Sequence, residues 1–134
     1  MSDERPWALL RRLNAGMILF DLILGSATLL APAHTLRLLG HDSPSTDALH
    51  LFRRCGPIWL TFAAAHGVAN ARGNPEDWWA LSWLRATEIA TDAVWAQSPA
   101  VSRRGAKLAL RLAGAFNFAT ATGFAALARG TRSP

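Results

Sequence analysis

The sequence predicts an all-α protein, namely a four-helix transmembrane bundle in up-down-up-down order with a short interfacial helix after the first span. Four apolar stretches of about 17 to 21 residues predict the helices, since about 20 helical residues cross a bilayer. Prolines and glycines fall between the stretches, and arginines flank them, as is typical of membrane spans. The chain of 134 residues has the length of one domain.

Composition narrows the class of protein. The chain is 51% hydrophobic and 17% charged, whereas an ordinary soluble domain is roughly 25% charged, so disorder and a collagen or coiled-coil repeat are excluded. A single cysteine excludes a disulfide scaffold and a Cys-based zinc ribbon. The net charge of +5 comes from arginines grouped between the apolar stretches, not along one helix, so we expect no nucleic-acid partner.

The first two spans contain little charge. The first span, residues 13–31, contains one charged residue, Asp21, and ends before Pro32. Residues 32–40 then predict a short amphipathic helix ended by a glycine, with Leu36 and Leu39 on the bilayer surface. The second span, residues 55–71, contains no Asp, Glu, Lys or Arg.

The third span, residues 78–97, contains Arg85, Glu88 and Asp92, while the fourth span covers residues 108–128. A charge at mid-helix costs about 2.5–3.5 kcal/mol on insertion scales. The third span therefore inserts only if its charges face partners inside the bundle. The alternative is a soluble bundle of Ala-rich amphipathic helices. Tryptophans near the ends of the stretches favour the membrane.

The three charges of the third span lie within about 60° of one another on a helix and form one polar face. The other spans contribute Asp21, His66, Arg111 and Asn117. In a structural interpretation Arg85 pairs with Glu88 or Asp92, Arg111 pairs with Asp21 or the other carboxylate, and the network fixes helix register. In a functional interpretation these groups line a pocket, because buried ionisable residues in membranes often mark sites. Both interpretations stay open at this point.

The pocket hypothesis assigns a binding function. Arg85, Glu88 and Asp92 would orient the polar end of a small, partly apolar molecule, with Asp21, His66, Arg111 and Asn117 as further ligand contacts. One alternative is a membrane isomerase or cyclase acting on a lipid-like substrate, with Glu88 and Asp92 as candidate acid/base groups. Another is a non-catalytic accessory subunit of a membrane complex. The Glu-x-x-His pairs of di-iron bundles are missing, so no metal site is predicted, and the sequence indicates no particular cofactor.

One family resemblance covers about the first half of the chain. Gly25, the segment Leu29-Leu30-Ala31-Pro32, the segment Leu38-Leu39-Gly40 and the pattern Arg54-x-Gly56-x-x-Trp59 resemble small bacterial four-helix membrane proteins of the DoxX-like type. The resemblance implies a polytopic bundle in the bacterial inner membrane, in some cases an accessory subunit of a membrane redox system. It carries over no catalytic residues. The expected partners are the lipid bilayer, a small hydrophobic ligand or substrate, and another membrane protein or a second copy of the chain.

Overall fold

A computed structural model describes residues 4–130, with side chains from Trp7 onward. This part of the chain is all-α, which confirms the predicted class, and contains no strand. Its helices are α1 (Glu4–Leu30), α2 (Pro32–Leu38), α3 (Thr46–Arg53), α4 (Cys55–Arg72), α5 (Pro75–Gln97) and α6 (Arg104–Gly130). The four long helices cover the four predicted apolar stretches. Helix α1 begins nine residues before the predicted span, because no proline interrupts residues 7–13.

The short helix after the first span is present as α2. Pro32 occupies its first turn, where the missing N–H costs nothing, and Gly40 follows it at φ +100°. The predicted placement of Leu36 on the bilayer surface is wrong, because this side chain is only 3% exposed and packs inside the protein. Leu38 takes the outward position instead, at 67% exposed.

Helix α3 was not predicted. It starts at the N-cap Ser45, whose hydroxyl accepts a hydrogen bond from the amide of Ala48 at 3.2 Å, and Asp47 lies in its first turn. A serine N-cap followed by an acidic residue is a helix-start signal. The helix has only eight residues, however, and breaks at Arg54 before α4 begins.

The long helices pack as two antiparallel pairs. In the first pair Gly25 of α1 lies against Gly56 of α4, where a Cβ on Gly25 would come within 2.9 Å of the Gly56 carbonyl oxygen. In the second pair Trp78 of α5 stacks on Phe124 of α6, with ring centroids 5.7 Å apart. Helices α4 and α5 are joined by a tight turn at Gly73, which adopts φ +67°. The helices therefore alternate in direction, as the up-down-up-down prediction requires.

The distribution of polar and apolar side chains is unusual for a water-soluble bundle. Buried positions include Asn, Asp, His, Arg, Ser and Thr side chains from all four long helices. Large apolar side chains on the same helices face outward, among them Leu19, Phe20, Ile23, Trp83, Val94, Leu112 and Phe118, each at least 60% exposed.

One helix in the described part of the chain, over Trp7–Leu30, is long and apolar enough to cross a membrane by length and composition. The predicted spans at 55–71, 78–97 and 108–128 do not meet that test. The reason lies in the residues they contain. Helix α5 has three charges in its middle, and α4 includes His66, Asn70 and Arg72 in only 18 residues.

Candidate functional site

A buried polar network joins the two helix pairs near the middle of the bundle. Arg85 of α5 forms an ion pair with Asp21 of α1, and the two side chains are 4% and 1% exposed. The same guanidinium donates to Nε2 of His66 on α4, from Nε at 2.9 Å and from a terminal nitrogen at 2.6 Å. It also lies over the ring of Phe62, 5.6 Å from the centroid. Arg85 thus connects three of the four long helices.

The hydrogen bonds around His66 fix its tautomer. A guanidinium can only donate, so Nε2 of His66 must accept and carries no proton. Nδ1 then bears the hydrogen and donates to the side-chain oxygen of Asn14. The amide nitrogen of Asn14 donates in turn to the backbone oxygen of His66 at 3.0 Å. The four residues Asn14, His66, Arg85 and Asp21 therefore form one connected network with a neutral histidine.

The other two carboxylates lie further along α5. Asp92 is 7% exposed and accepts a hydrogen bond from the amide nitrogen of Asn117 on α6 at 2.9 Å. Glu88 is partly exposed and lies beside the Trp59 side chain of α4, which also lines the cavity described below. Among the described residues, neither Glu88 nor Asp92 forms an ion pair with an arginine or lysine.

A cavity of about 1030 Å³ separates the two helix pairs on this side of the network. Helices α1 and α6 touch near Leu10 and Gly123, and the cavity opens between them beyond that contact. Its wall is mainly apolar. The polar and charged side chains that contribute to the wall are Arg12, Asp21, Arg85, Thr87, Glu88, Thr91, Asp92 and Asn117.

The cavity brings together most of the predicted site residues. Glu88, Asp92, Asp21, Arg85 and Asn117 all line it, and His66 lies behind Arg85.

Arg111 does not belong to this group. Its side chain is exposed and does not line the cavity, so its predicted pairing with a buried carboxylate is wrong. The buried face of α6 contains Leu110, Asn117 and Phe124 at seven-residue spacing, and Arg111 lies about 100° away from Leu110.

The partner of Arg85 was also predicted incorrectly. The charges on its own helix are the nearest in sequence, yet the ion pair forms with Asp21 across the bundle.

The seven-residue spacing of Asn14 and Asp21 predicts that both lie on one stripe of α1, and both side chains are buried there. One site residue, Trp59, was missed, because no spacing distinguishes it from the other tryptophans near the ends of the apolar stretches.

A second polar cluster lies at the end of the bundle where the connections α1–α4 and α5–α6 meet. The Trp95 indole donates to Nε2 of His41 at 2.7 Å, and burial lowers the pKa of this histidine. Nearby, Arg103 forms an ion pair with Asp42 at 3.4 Å. These contacts tie the two connections together, and their partners are satisfied, so we assign them a structural role.

The site offers no preformed metal centre in the described residues, where no group of three or more His, Cys, Asp or Glu side chains is placed to hold an ion. Comparisons with protein-family models, with curated proteins and with solved structures gave no match. The resemblance to DoxX-like proteins therefore stays a prediction, and the geometry of the cavity must carry the functional argument.

Proposed function

We propose that this chain is a small polytopic integral membrane protein whose interior pocket binds a small, partly apolar molecule. The main support is the distribution of side chains, since charged and polar groups share the interior with a small apolar core while many large apolar groups lie on the outer surface. In water this arrangement would leave many apolar side chains solvated. In a bilayer the same side chains face lipid, and most of the buried polar groups pair with one another inside the bundle.

Helix α1 supports the proposal most directly. Only 28% of its apolar window is buried within the protein, whereas the core helix of a soluble protein is mostly buried. On this proposal the other three long helices span as well, with His66, Arg85, Asp92 and Asn117 directed inward and the exposed Arg111 near the end of the predicted fourth span. Arg85, Asp92 and Asn117, which lower the apolar character of α5 and α6, are all buried. Their cost in lipid is offset by the ion pair and hydrogen bonds described above.

The cavity supports the binding function. A volume of about 1030 Å³ lies at the upper end of the range for small-molecule sites. Its wall combines a mainly apolar surface with a few convergent polar groups, which is the usual composition of such sites. Because Arg85 is already occupied by Asp21 and His66, the groups left to orient a ligand are those beyond it on α5 and α6.

Membrane fractionation followed by native mass spectrometry tests both parts of this function. We expect the protein to stay in the pellet when bacterial inner membranes are washed with alkaline carbonate. We also expect protein purified in mild detergent to retain a small molecule. A matched pair of glycine variants localises the binding, since a Cβ added at Gly16 or at Gly67 meets nothing within 4 Å. Gly16 lines the cavity, whereas Gly67 does not.

We therefore expect Gly16→Trp to lose the retained molecule and Gly67→Trp to keep it. Release of the wild-type chain by carbonate would refute the membrane assignment. A wild-type protein that is repeatedly empty would refute the binding function. Retention of a polypeptide in place of a small molecule would instead favour an accessory subunit.

A further inference from the structure

We infer that the cavity selects a hydrophobic monocation, an organic ammonium or phosphonium ion with apolar substituents. This inference rests on the proposed function and narrows its ligand class. It is drawn from the charges left unbalanced in the cavity wall, from the aromatic side chains beside them, and from the position of the opening.

The cavity wall has an excess of negative charge. Three carboxylates and two guanidinium groups line it: Asp21, Glu88, Asp92, Arg12 and Arg85. The Arg85–Asp21 ion pair balances one charge of each sign, and Arg12, whose side chain is exposed, forms no ion pair in the described part of the chain. The wall therefore carries one more negative than positive group. Glu88 and Asp92 remain without an ion-pair partner among the described residues.

A buried carboxylate oxygen without a partner also indicates that positive or hydrogen-bond-donating groups are lacking around the cavity. The Oδ1 atom of Asp21 is buried and has no hydrogen-bond donor within reach in the described part of the chain. Buried polar atoms are normally hydrogen-bonded, so this acceptor adds to the deficit of positive groups around the cavity. Arg85 does not donate to this oxygen, because its Nε is directed at His66 and one terminal nitrogen at the other oxygen of Asp21.

The same geometry disfavours an anionic ligand. An anion that approached the Arg85 guanidinium would have to bind beside Asp21, and it would also lie close to Glu88. Like charges in a poorly solvated site repel strongly. A cation can instead approach Glu88 and Asp92 without breaking any contact in the Asn14–His66–Arg85–Asp21 network.

Aromatic side chains around the cavity favour a bulky organic cation over a small metal ion. Trp59 and Trp95 line the wall on the side of the carboxylates, and Phe20, Phe62 and Phe116 also contribute. The faces of such rings attract cations. Phe62 already makes this contact with the Arg85 guanidinium.

The opening of the cavity suits a ligand that arrives through lipid. The residues at its edge include Phe20, Ile58 and Leu112, which are 51–61% exposed and belong to the outward apolar surface. A hydrophobic cation concentrated in the bilayer would enter between α1 and α6 without crossing the polar ends of the bundle.

Tetraphenylphosphonium and tetraphenylborate provide a test, because they have nearly the same shape and opposite charge. We would measure saturable binding of each ion to the full chain in phosphatidylcholine nanodiscs, with empty nanodiscs subtracted. We expect the phosphonium to bind at least about tenfold more tightly, a difference of about 1.4 kcal/mol. Glu88→Gln should weaken phosphonium binding by about tenfold or more, because it removes a charge beside the ligand.

Three further variants separate the effect of the charge at Glu88 from general effects on binding. Asp47→Asn removes a carboxylate on α3, outside the cavity wall, and should leave phosphonium binding unchanged. Gly16→Trp should abolish binding of the phosphonium, whereas Gly67→Trp should not. Each variant is checked for helix content and a monodisperse elution profile before binding is measured.

The outcomes distinguish this inference from the proposed function. Equal binding of the two ions, tighter binding of the borate, or unchanged phosphonium affinity in Glu88→Gln would overturn the cation selectivity while leaving a functioning pocket. Absence of binding of both ions, with a different small molecule retained by wild type and lost in Gly16→Trp, would also overturn the selectivity alone. If neither ion binds and no molecule is retained, both the inference and the proposed function fail.

Discussion

Replacing Arg85 tests the polar network that joins the helix pairs. Arg85→Met keeps much of the side-chain volume but removes the charge, so the change creates little empty space. It leaves Asp21, whose side chain is 1% exposed, as an unpaired buried carboxylate. We expect the free energy of unfolding to fall by about 3–5 kcal/mol, the usual cost of breaking a buried ion pair by removing one partner.

The magnitude follows from the lost contacts. Two unit charges about 4 Å apart attract each other by about 4 kcal/mol at an effective dielectric constant near 20. The substitution also removes both hydrogen bonds to His66, at 2.9 and 2.6 Å, and leaves Nε2 of that ring without a donor. Protonation of Asp21 in the variant would relieve part of the cost, which keeps the expected value within the range given above.

Reversible unfolding in mixed detergent micelles, followed by tryptophan fluorescence, measures the effect. The matched control is Arg72→Met, since Arg72 pairs with Asp77 at 3.4 Å but is 61% exposed. An exposed pair contributes about 0–1 kcal/mol, so this variant should be nearly neutral. The double variant Arg85→Met/Asp21→Leu should be less destabilised than the sum of the two single variants, because it leaves no charge unpaired.

A loss below about 1 kcal/mol in Arg85→Met, equal to that of the exposed control, would refute the reasoning. It would mean that the Arg85–Asp21 pair is hydrated and does not hold the helix pairs together. Strict additivity in the double variant would also contradict a direct interaction between the two side chains.

Three further predictions follow from separate parts of the structure. Gly25→Leu should lower the free energy of unfolding by about 1–3 kcal/mol, because its Cβ would lie 2.9 Å from the Gly56 carbonyl oxygen of α4. Gly67→Leu should be nearly neutral, and thermal unfolding of both variants measures the difference. The ¹⁵N spectrum of the His66 ring should show Nδ1 protonated and Nε2 unprotonated, and the opposite tautomer would contradict the assigned donation from the guanidinium. Cys55 is the single cysteine of the chain and lines the cavity. Because the cavity wall carries an excess of negative charge, a cationic methanethiosulfonate should modify this thiol faster than an anionic one. The ratio of the two rates should fall in Glu88→Gln, and an unchanged ratio would show that this carboxylate does not set the potential at the thiol.

The sequence predicted the elements of the fold well because its breakers are strong. Pro32, Gly40 and the Gly73-Asn74-Pro75 turn each end or begin a helix where the pattern indicated. The missed element, α3, has only eight residues, too few for hydrophobic periodicity to distinguish it from a loop. The predicted orientation of α2, with Leu36 facing outward, was wrong for a related reason. In a seven-residue helix Leu36 and Leu38 compete for the buried face, and the choice depends on tertiary packing.

The site was predicted in outline, but its pairing was not. Helical spacing correctly placed Arg85 and Asp92 on the buried face of α5. It could not identify Asp21 as the partner of Arg85, because that choice depends on how far α1 and α5 are displaced along the bundle. Arg111 was misplaced because one residue corresponds to about 100° of rotation, and the apolar stretch of α6 does not define its buried face to that accuracy.

We therefore assign stability mainly to Arg85 and ligand binding mainly to Glu88, which lie on successive turns of α5. Arg85 belongs to a network in which most donors and acceptors are already matched, so it is suited to hold α1, α4 and α5 in register. Glu88 lies about one turn further along α5, faces the cavity, and has no cationic partner among the described residues. If this division is right, Arg85→Met should lower stability strongly, while Glu88→Gln should weaken binding with little effect on stability. A Glu88→Gln variant that loses several kcal/mol would instead place both groups in one structural network.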